Sequence, residues 1–209
     1  MKVLVFGATG PSGREIVAQA LRRGDSVTAF ARRSEDLGLA HERLRTVQGD
    51  AARDAAAIAD AVRGQDAVLS ALGRRATLKS EGLIERSMAL IVPAMERAGV
   101  HRLVIMSAFG VGESARAAPL LPRLMYRVLL TDIFADKLAG EARVRASALE
   151  WTIAYPVLLT NGPLTGRYRA AERLDLRGLP KISRADVAHF ILAEAQDCAF
   201  VRKIVALSY

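Results

Sequence analysis

Three glycines near the start of the chain stand where a phosphate group needs backbone without side chains. They lie in the segment Gly7-Ala-Thr-Gly-Pro-Ser-Gly13, between an apolar run at Lys2–Phe6 and a helix-like stretch that begins at Arg14. In this order a tight turn aims backbone N–H groups and the positive end of a helix dipole at one point. The pattern predicts a dinucleotide site in the first βα turn, and an ordinary Gly/Pro turn is the alternative.

Two arginines at the end of the second apolar run bear on which dinucleotide would bind. That run ends in Phe30-Ala-Arg-Arg-Ser34, where an NAD site has a carboxylate for the ribose 2′-hydroxyl and an NADP site has a guanidinium for the 2′-phosphate. Arg32 and Arg33 therefore predict NADP(H), preferred over NAD(H), and an exposed pair at a strand end is the alternative. Gly49 and Asp50 would lie beside the adenine, and Asp50 would also suit a helix N-cap.

Apolar runs and helical patterns alternate along the whole chain, which predicts βαβ units. We predict one Rossmann-like domain over residues 1–209, an α/β fold with a doubly wound parallel sheet and helices on both faces. Strands are expected at Lys2–Phe6, Ser26–Ala31, Leu44–Gln48, Ala67–Ala71, Arg102–Ser107, Trp151–Pro156 and Lys203–Leu207. Helices are expected at Ser12–Arg23, Asp54–Val62, Glu81–Ala98, within Leu121–Ala148, and at Arg184–Gln196.

Two segments rich in Gly, Pro and Thr interrupt this alternation, at residues 109–122 and 157–181. Each follows the carboxyl end of a predicted strand, the edge at which open α/β sheets bind ligands. We expect both loops to form the substrate pocket. Phe109 would stack on a planar substrate there, although a core position is favoured for a lone aromatic residue.

Composition limits the partners that the chain could have. The net charge is +8, but the arginines, among them Arg14, are scattered on expected solvent faces, so no nucleic acid is predicted. No apolar run is long enough to span a bilayer, and no export signal is evident. The single Cys198 is expected to pack as a small apolar residue in a reducing cytoplasm. His41, His101 and His189 are dispersed, and no metal site is predicted.

Several motifs, in the same order over nearly the whole chain, together resemble the atypical short-chain dehydrogenase/reductases. The resemblance is to the NmrA-like NAD(P)-binding branch, which includes biliverdin reductase B, a flavin reductase. The matching segments are Gly7–Gly13, Val27–Arg32, Gly49-Asp50, Gly64–Gly73, Met106–Phe109 and Gly162–Tyr168.

The resemblance implies roles for individual positions. Its pyrophosphate-binding residues would be Gly7, Ala8, Thr9, Gly10, Pro11, Ser12 and Gly13. Arg32 and Arg33 would take the 2′-phosphate, whereas the remaining cofactor contacts would be Gly49, Asp50, Ala51, Leu72, Gly73, Arg75, Ser107, Lys137, Pro156 and Val157. Ser107 would face the nicotinamide, and Lys137 would hydrogen-bond its ribose. A strand-end hydroxyl that satisfies the backbone is the alternative for Ser107.

The chain departs from that family pattern at three positions. Carbonyl-reducing members use a Tyr four residues before a Lys, but this chain has Ile133 before Lys137. Leu158 stands where the resemblance implies a His beside the substrate, and Asp36 stands where it implies another basic residue. Glu141 and Arg145 have the spacing of an ion pair on a helix face, not of an acid/base couple.

These observations predict an NADPH-dependent reductase of planar conjugated acceptors, such as a flavin, a quinone or a tetrapyrrole, with Ser107 and Lys137 as catalytic residues and Phe109 and Leu158 at the substrate. Such acceptors delocalise the incoming charge, so positioning against the nicotinamide could suffice. The alternative is a non-catalytic NADP(H) sensor of the NmrA type, acting as a homodimer or through a protein partner. An epimerase-like or lyase-like sugar enzyme ranks last, because it needs the missing Tyr–Lys pair most.

Overall fold

Strands and helices alternate through the chain, as predicted. The computed structural model describes residues 1–73, 80–111, 131–176 and 178–209. Its strands are β1 (Lys2–Phe6), β2 (Ser26–Ala31), β3 (Leu44–Gln48), β4 (Ala67–Ser70), β5 (Arg102–Met106), β6 (Glu150–Pro156), β7 (Leu158–Thr160), β8 (Arg169–Ala171), β9 (Lys181–Ser183) and β10 (Lys203–Ser208). In the described residues the α-helices are α1 (Pro11–Arg22), α2 (Ala55–Val62), α3 (Leu83–Ala98), α4 (Thr131–Ala146) and α5 (Arg184–Asp197).

Eight strands form one sheet in the order β3-β2-β1-β4-β5-β6-β10-β8. Every pairing in it is parallel except that of β8 with β10. The chain runs outward from β1 in one direction through β2 and β3, and then returns to place β4 on the other side of β1. This reversal is the topological switch point of a doubly wound sheet, and it confirms the predicted Rossmann-like fold.

The two faces of the sheet are covered by separate groups of helices. Alternate residues of β1 point to opposite sides, so that Val3 and Val5 pack with the residues of α1 and α5, whereas Leu4 and Phe6 pack with those of α2, α3 and α4. Both clusters consist of buried apolar side chains, mostly aliphatic with some aromatic rings. Because central strands such as β1 and β4 are buried on both faces, they appear in the sequence as continuous apolar runs.

The sequence analysis missed three short strands, two within the segment at 157–181 and a third that begins at its last residue. β7 and β9 pair in parallel as a separate two-stranded sheet, and β8 adds an antiparallel edge to β10. Their three-residue lengths provide too little alternation to stand out in a sequence. Of the other predicted loop, 109–122, only residues 109–111 are among those that the structure describes.

Two further expectations concern the single cysteine and the possibility of a membrane-spanning helix. Cys198 is exposed at the end of α5, with φ of +52°, so the prediction that it packs as a small apolar residue is wrong. Within the described residues no helix is both long enough and apolar enough to cross a membrane.

Candidate active site and dinucleotide cleft

The glycine loop folds tightly against its own backbone. Gly7 has φ of +74°, and a Cβ placed on it would lie 2.6 Å from the carbonyl oxygen of Ala71. A Cβ on Gly13 would lie only 2.0 Å from the carbonyl oxygen of Gly7. Both positions therefore require glycine for the turn itself, before any ligand binds.

The first turn of α1 offers an anion-binding site. Gly10 is the extended N-cap residue, Pro11 opens the helix, and no side chain caps the turn or places a carboxylate in it. The amides at a helix N-terminus lack intrahelical partners and carry partial positive charge. The loop from Gly7 through Ala8, Thr9, Gly10, Pro11 and Ser12 to Gly13 thus fits a pyrophosphate, because it combines a cradle without side chains with uncapped amides.

Arg14 joins the glycine loop to the segment that follows β2. Its Nε donates to the carbonyl oxygen of Thr9 at 3.1 Å, one terminal nitrogen donates to that of Leu37 at 3.0 Å, and the other donates to that of Asp36. We expected Arg14 to be a solvated helix-face residue. Arg14 is exposed, as predicted, and its guanidinium in addition links the two loops.

Arg32 and Arg33 are both exposed at the end of β2, but they are not equivalent. The Nε of Arg33 lies 3.0 Å from Oδ2 of Asp36 in an exposed ion pair. Arg32 has no hydrogen-bond or ion-pair partner among the residues that the structure describes. Arg32 is therefore the guanidinium that remains available to a ligand phosphate, and Asp36 competes for Arg33.

The turn after β3 is fixed by an aromatic ring. A Cβ on Gly49 would lie 2.5 Å from Cζ of Phe30, so glycine at 49 makes room for the buried ring. Oδ1 of Asp50 accepts a hydrogen bond from the amide of Ala52 at 2.9 Å, and Ala51 is buried. The N-cap residue of α2 is Asp54, so the expectation that Asp50 caps this helix is wrong.

The remaining predicted cofactor residues follow the carboxyl edge of the sheet. Leu72 is half-buried and Gly73 exposed after β4, whereas Arg75 lies outside the described residues. Strand order places the ends of β2, β1, β4, β5 and β6 in one row. At about 4.8 Å between strands, the row extends about 19 Å from Arg32 past the glycine loop to Ser107 and Pro156.

Ser107 lies in a buried polar cluster that the sequence analysis did not foresee. Its Oγ donates to Oε1 of Glu141 at 2.5 Å, and the hydroxyl of Tyr155 donates to Oε2 of the same carboxyl at 2.6 Å. The three side chains come from the end of β5, from α4 and from β6, and Glu141 is only 1% exposed. Glu141 is thus not part of an ion pair on a helix face, and the earlier interpretation of its spacing with Arg145 is wrong.

The environment of this cluster changes its titration. Burial raises the pKa of Glu141 above its ordinary value, although hydrogen bonds from Ser107 and Tyr155 and the nearby Lys137 and Arg145 cations lower it. Burial and the adjacent Glu141 also raise the pKa of Tyr155, so its phenol stays protonated. The cluster therefore favours the proton-bound forms of both groups.

Lys137 lies one helical turn before Glu141 on α4 and is partly buried. Desolvation lowers the pKa of its ammonium, whereas Glu141 and Asp136 raise it. Ile133, one turn earlier, fills the position of the tyrosine that the resemblance implied. One helical turn from Lys137, the titratable group is consequently the carboxyl four residues after it, not a phenol four residues before it.

Two contacts fix α4 in this position. Both carboxylate oxygens of Asp136 accept backbone hydrogen bonds from the first turn of α3, at 3.0 Å from Ile84 and 2.9 Å from Glu85. A Cβ on Gly140 would lie 2.7 Å from Cγ2 of Ile84, so the two helices approach closely at this glycine. The close packing turns Glu141 towards the sheet.

The predicted substrate side is less polar. Phe109 is half-buried, packs against both core clusters, and donates its amide to the carbonyl oxygen of Pro156 at 3.0 Å. Val157 is buried, with its amide bonded to Leu207, whereas Leu158 at the start of β7 is 49% exposed. An apolar side chain thus stands open to solvent next to the end of β6.

The strand order and the glycine loop after β1 are those of a dinucleotide-binding fold, and comparison with known proteins agrees. A family model described as NAD(P)H-binding matches residues 7–197. The chain belongs to this NAD(P)H-binding family, which confirms the predicted class of dinucleotide-binding protein.

Among individual relatives, an uncharacterised chloroplastic protein of Arabidopsis thaliana is 30% identical, over 98% of this chain and 76% of its own length. The solved structure of ChuY, an anaerobilin reductase from Escherichia coli O157:H7, has a TM-score of 0.82 at 24% identity, with 99% of this chain and 96% of that chain covered. A short-chain dehydrogenase/reductase from Veillonella parvula, solved in complex with NADP, has a TM-score of 0.81 at 20% identity, covering 100% and 94%. At these identities, the two structures establish the fold.

Proposed function

We propose that the protein is an NADPH-dependent oxidoreductase that reduces a planar conjugated acceptor such as a flavin, a quinone or a linear tetrapyrrole. The observation that carries the proposal is the position of Ser107. It lies on the carboxyl edge of the sheet in the same row as the glycine loop, and its hydroxyl contacts a buried carboxyl. When bound, the nicotinamide supplies a hydride.

The absence of tyrosine at position 133 supports the choice of acceptor. A ketone turned into an alkoxide needs a proton at once from a nearby acid, which the phenol beside Lys137 would normally provide. A conjugated acceptor spreads the added charge over its ring system and tolerates slower protonation. Phe109 offers a planar ring and the exposed Leu158 an aliphatic contact for such a molecule. The anaerobilin reductase among the structural neighbours is consistent with this class of acceptor.

The preference for NADPH is supported by Arg32. This exposed guanidinium has no partner among the described residues, and no carboxylate stands beside it on β2 to receive a ribose 2′-hydroxyl. A 2′-phosphate would gain a charge-assisted hydrogen bond there. Arg33 contributes less because Asp36 already holds it.

A non-catalytic NADP(H) sensor is the second candidate, and one observation favours it. The hydroxyls of Ser107 and Tyr155 both donate inward to Glu141, so neither donor proton points to a substrate in this arrangement. Such a sensor would discriminate the oxidation state of the nucleotide and transmit it to a protein partner or a second copy of the chain. For either function, a cytoplasmic location remains a prediction that rests on the single cysteine.

The test is NADPH oxidation at neutral pH with FMN, a quinone and biliverdin as acceptors, with NADH as a parallel donor. Binding of both nucleotides is measured by calorimetry on the same preparation. Turnover with at least one acceptor and a preference for NADPH is the expected result. Tight NADPH binding without turnover would replace the reductase with the sensor, and failure to bind either nucleotide would reject both.

A further inference from the structure

Glu141 is a buried carboxyl with no cation in direct contact. Its two oxygens receive hydrogen bonds from two hydroxyls, and no ion pair reaches it from the described residues. Glu194, the other fully buried glutamate of the described chain, lies 2.7 Å from the Arg102 guanidinium. The second arrangement is typical of a structural carboxylate, because a buried charge needs a partner. Glu141 lacks that partner and therefore needs another explanation.

We infer that Glu141 is the proton source of the reductase and delivers its proton to the acceptor through Ser107. This inference rests on the proposed function, because it assigns the proton that must accompany the hydride. The carboxyl lies behind Ser107 and is shielded from solvent, whereas Ser107 stands at the edge of the sheet. Glu141 acts through Ser107 and does not itself touch the acceptor.

The step balances as follows. The acceptor gains a hydride, which carries two electrons, from the nicotinamide and a proton from the Ser107 hydroxyl. As that O–H bond breaks, a new O–H bond forms between Ser107 Oγ and the proton of the Glu141 carboxyl, so the serine ends unchanged. Glu141 is left as a carboxylate, and after the product leaves a proton from solvent returns to it through the Ser107 hydroxyl.

The surroundings of Glu141 suit a stored proton. Burial favours the neutral carboxyl and is opposed by Ser107 and Tyr155 from the sheet and by Lys137 and Arg145 from α4 itself. No charged side chain of α3, the helix packed against α4, contributes to its titration. A neutral carboxyl can donate to Ser107 while the serine hydroxyl turns to the acceptor, and the phenol of Tyr155 holds the other oxygen in place.

The position on the helix accounts for the missing tyrosine. Residues four apart lie on the same face of an α-helix, so positions 133 and 141 flank Lys137 by one turn each. With Ile133 on one side, the acid stands on the other side of Lys137, reaching the acceptor through a serine in place of a phenol. The proton donor thus lies one turn after Lys137 on α4, whereas the family pattern has it one turn before.

The test compares E141Q with the wild type in NADPH oxidation, using an acceptor that the wild type reduces, over a range of pH. Glutamine keeps the shape of the side chain and one acceptor oxygen, whereas its amide nitrogen can only donate to the second hydroxyl, and it holds no transferable proton. We expect kcat of E141Q to fall about 100-fold at low pH, in the range typical of a lost proton donor, with little change in nucleotide binding. The wild-type rate should fall as pH rises through the pKa of Glu141, and this limb should be absent from E141Q.

Three variants and one control variant separate proton supply from a structural role. Y155F removes the hydrogen bond to the other carboxyl oxygen but leaves the relay, so it should keep the pH-dependent limb. S107A and the double variant S107A/E141Q should be about equally slow, because both residues serve one path. E150Q, at an exposed position where β6 begins, is the matched carboxyl-to-amide control and should behave as the wild type.

Infrared difference spectra of the cofactor-free protein provide a readout that does not depend on turnover. At a pH below the activity limb, the wild type and E150Q should show the carbonyl stretch of a protonated carboxyl that E141Q lacks. An active wild type whose pH limb persists in E141Q, or whose spectrum lacks that band, would overturn the proton source alone. A wild type that reduces no acceptor would overturn the proposed function and, with it, this role of Glu141.

Discussion

Gly13 lies so close to Gly7 that a Cβ on Gly13 would stand 2.0 Å from the Gly7 carbonyl oxygen. The contact joins the two ends of the glycine loop, one just after β1 and the other in the first turn of α1. No flexible side chain is involved, so neither partner could yield without moving the strand or the helix. The glycine spacing that predicts phosphate binding is thus also a requirement of the cofactor-free fold.

Replacement of Gly13 by alanine should therefore destabilise the protein even without nucleotide. We expect a loss of about 3 kcal/mol or more, the scale of severe overpacking in a core. Urea unfolding of the cofactor-free protein measures it. Gly73→Ala is the control, because a Cβ there meets nothing within 4 Å and the backbone is not left-handed. Equal stability of the two variants would contradict a structural role for Gly13.

Much of this fold could be predicted from the sequence because its signals are local. The central parallel strands such as β1 and β4 are buried apolar runs, and the bounds of β1, β2 and the more exposed β3 agree with prediction to the residue. The strands β7, β8 and β9 could not be predicted, because three residues carry little periodicity and their pairing depends on distant partners.

The candidate site shows the same division between local and distant information. The glycine loop and Arg32 follow from motifs that are continuous in the chain. Glu141 was misjudged because its spacing with Arg145 resembles an exposed pair, while its actual partners, Ser107 and Tyr155, come from other elements. One signal was present in the sequence, because Glu141 shares a helix face with Gly140 and Val144. A small and an apolar residue beside it indicate a packed face, and all three are buried together with Asp136.

Arg32 and Arg33 should differ in their effect on cofactor choice. R32A should weaken NADPH binding by roughly 10- to 100-fold and leave NADH nearly unchanged, because one charge-assisted bond to the 2′-phosphate is lost. R33A should have a smaller effect, since Asp36 already pairs with that guanidinium. Calorimetric titration with both nucleotides measures this. Equal losses of NADPH and NADH in R32A would refute the assignment.

Arg102 and Glu194 form a buried ion pair at the amino end of β5, the edge of the sheet opposite the glycine loop. Each side chain neutralises the buried charge of the other. The Arg102 guanidinium also donates to Thr152 and to the backbone of Glu150. Because it is the cation that contacts Glu194, its removal leaves the Glu194 carboxylate buried without that partner. R102M should cost about 3–5 kcal/mol, and R102M combined with E194L should cost less than the sum of the single changes.

The exposed pair of Arg63 and Asp60 at the end of α2 is the control for that experiment. R63M should change the free energy of unfolding by less than about 1 kcal/mol, because solvent screens such pairs. Chemical unfolding of all four variants gives the comparison. Additive losses for Arg102 and Glu194 would show that the two side chains do not stabilise each other.

Asp186 organises the end of the chain around one buried carboxylate. It accepts hydrogen bonds from the amide of Gly166 at 2.8 Å, from the amide and hydroxyl of Thr165, from Ser183 and, at 2.6 Å, from the hydroxyl of Tyr209. Burial raises the pKa of Asp186, but these donors outweigh it and hold the value below its ordinary 3.8. The charged form is therefore the one that stabilises the fold.

The direction of this shift fixes how the stability of D186N should depend on pH. A carboxyl whose pKa is lowered by folding stabilises the folded state fully at pH values above its pKa of 3.8 in the unfolded chain. This stabilisation disappears as pH falls through its lower pKa in the folded protein. At neutral pH we expect D186N to lose about 3 kcal/mol, since several donors lose a charged acceptor. The gap to the wild type should narrow below pH 3.8, whereas D197N, at the exposed end of α5, should follow the wild type throughout. Urea unfolding at a series of pH values measures the gap, and a gap that stays constant into acid would show that the charge of Asp186 is not what holds this region together.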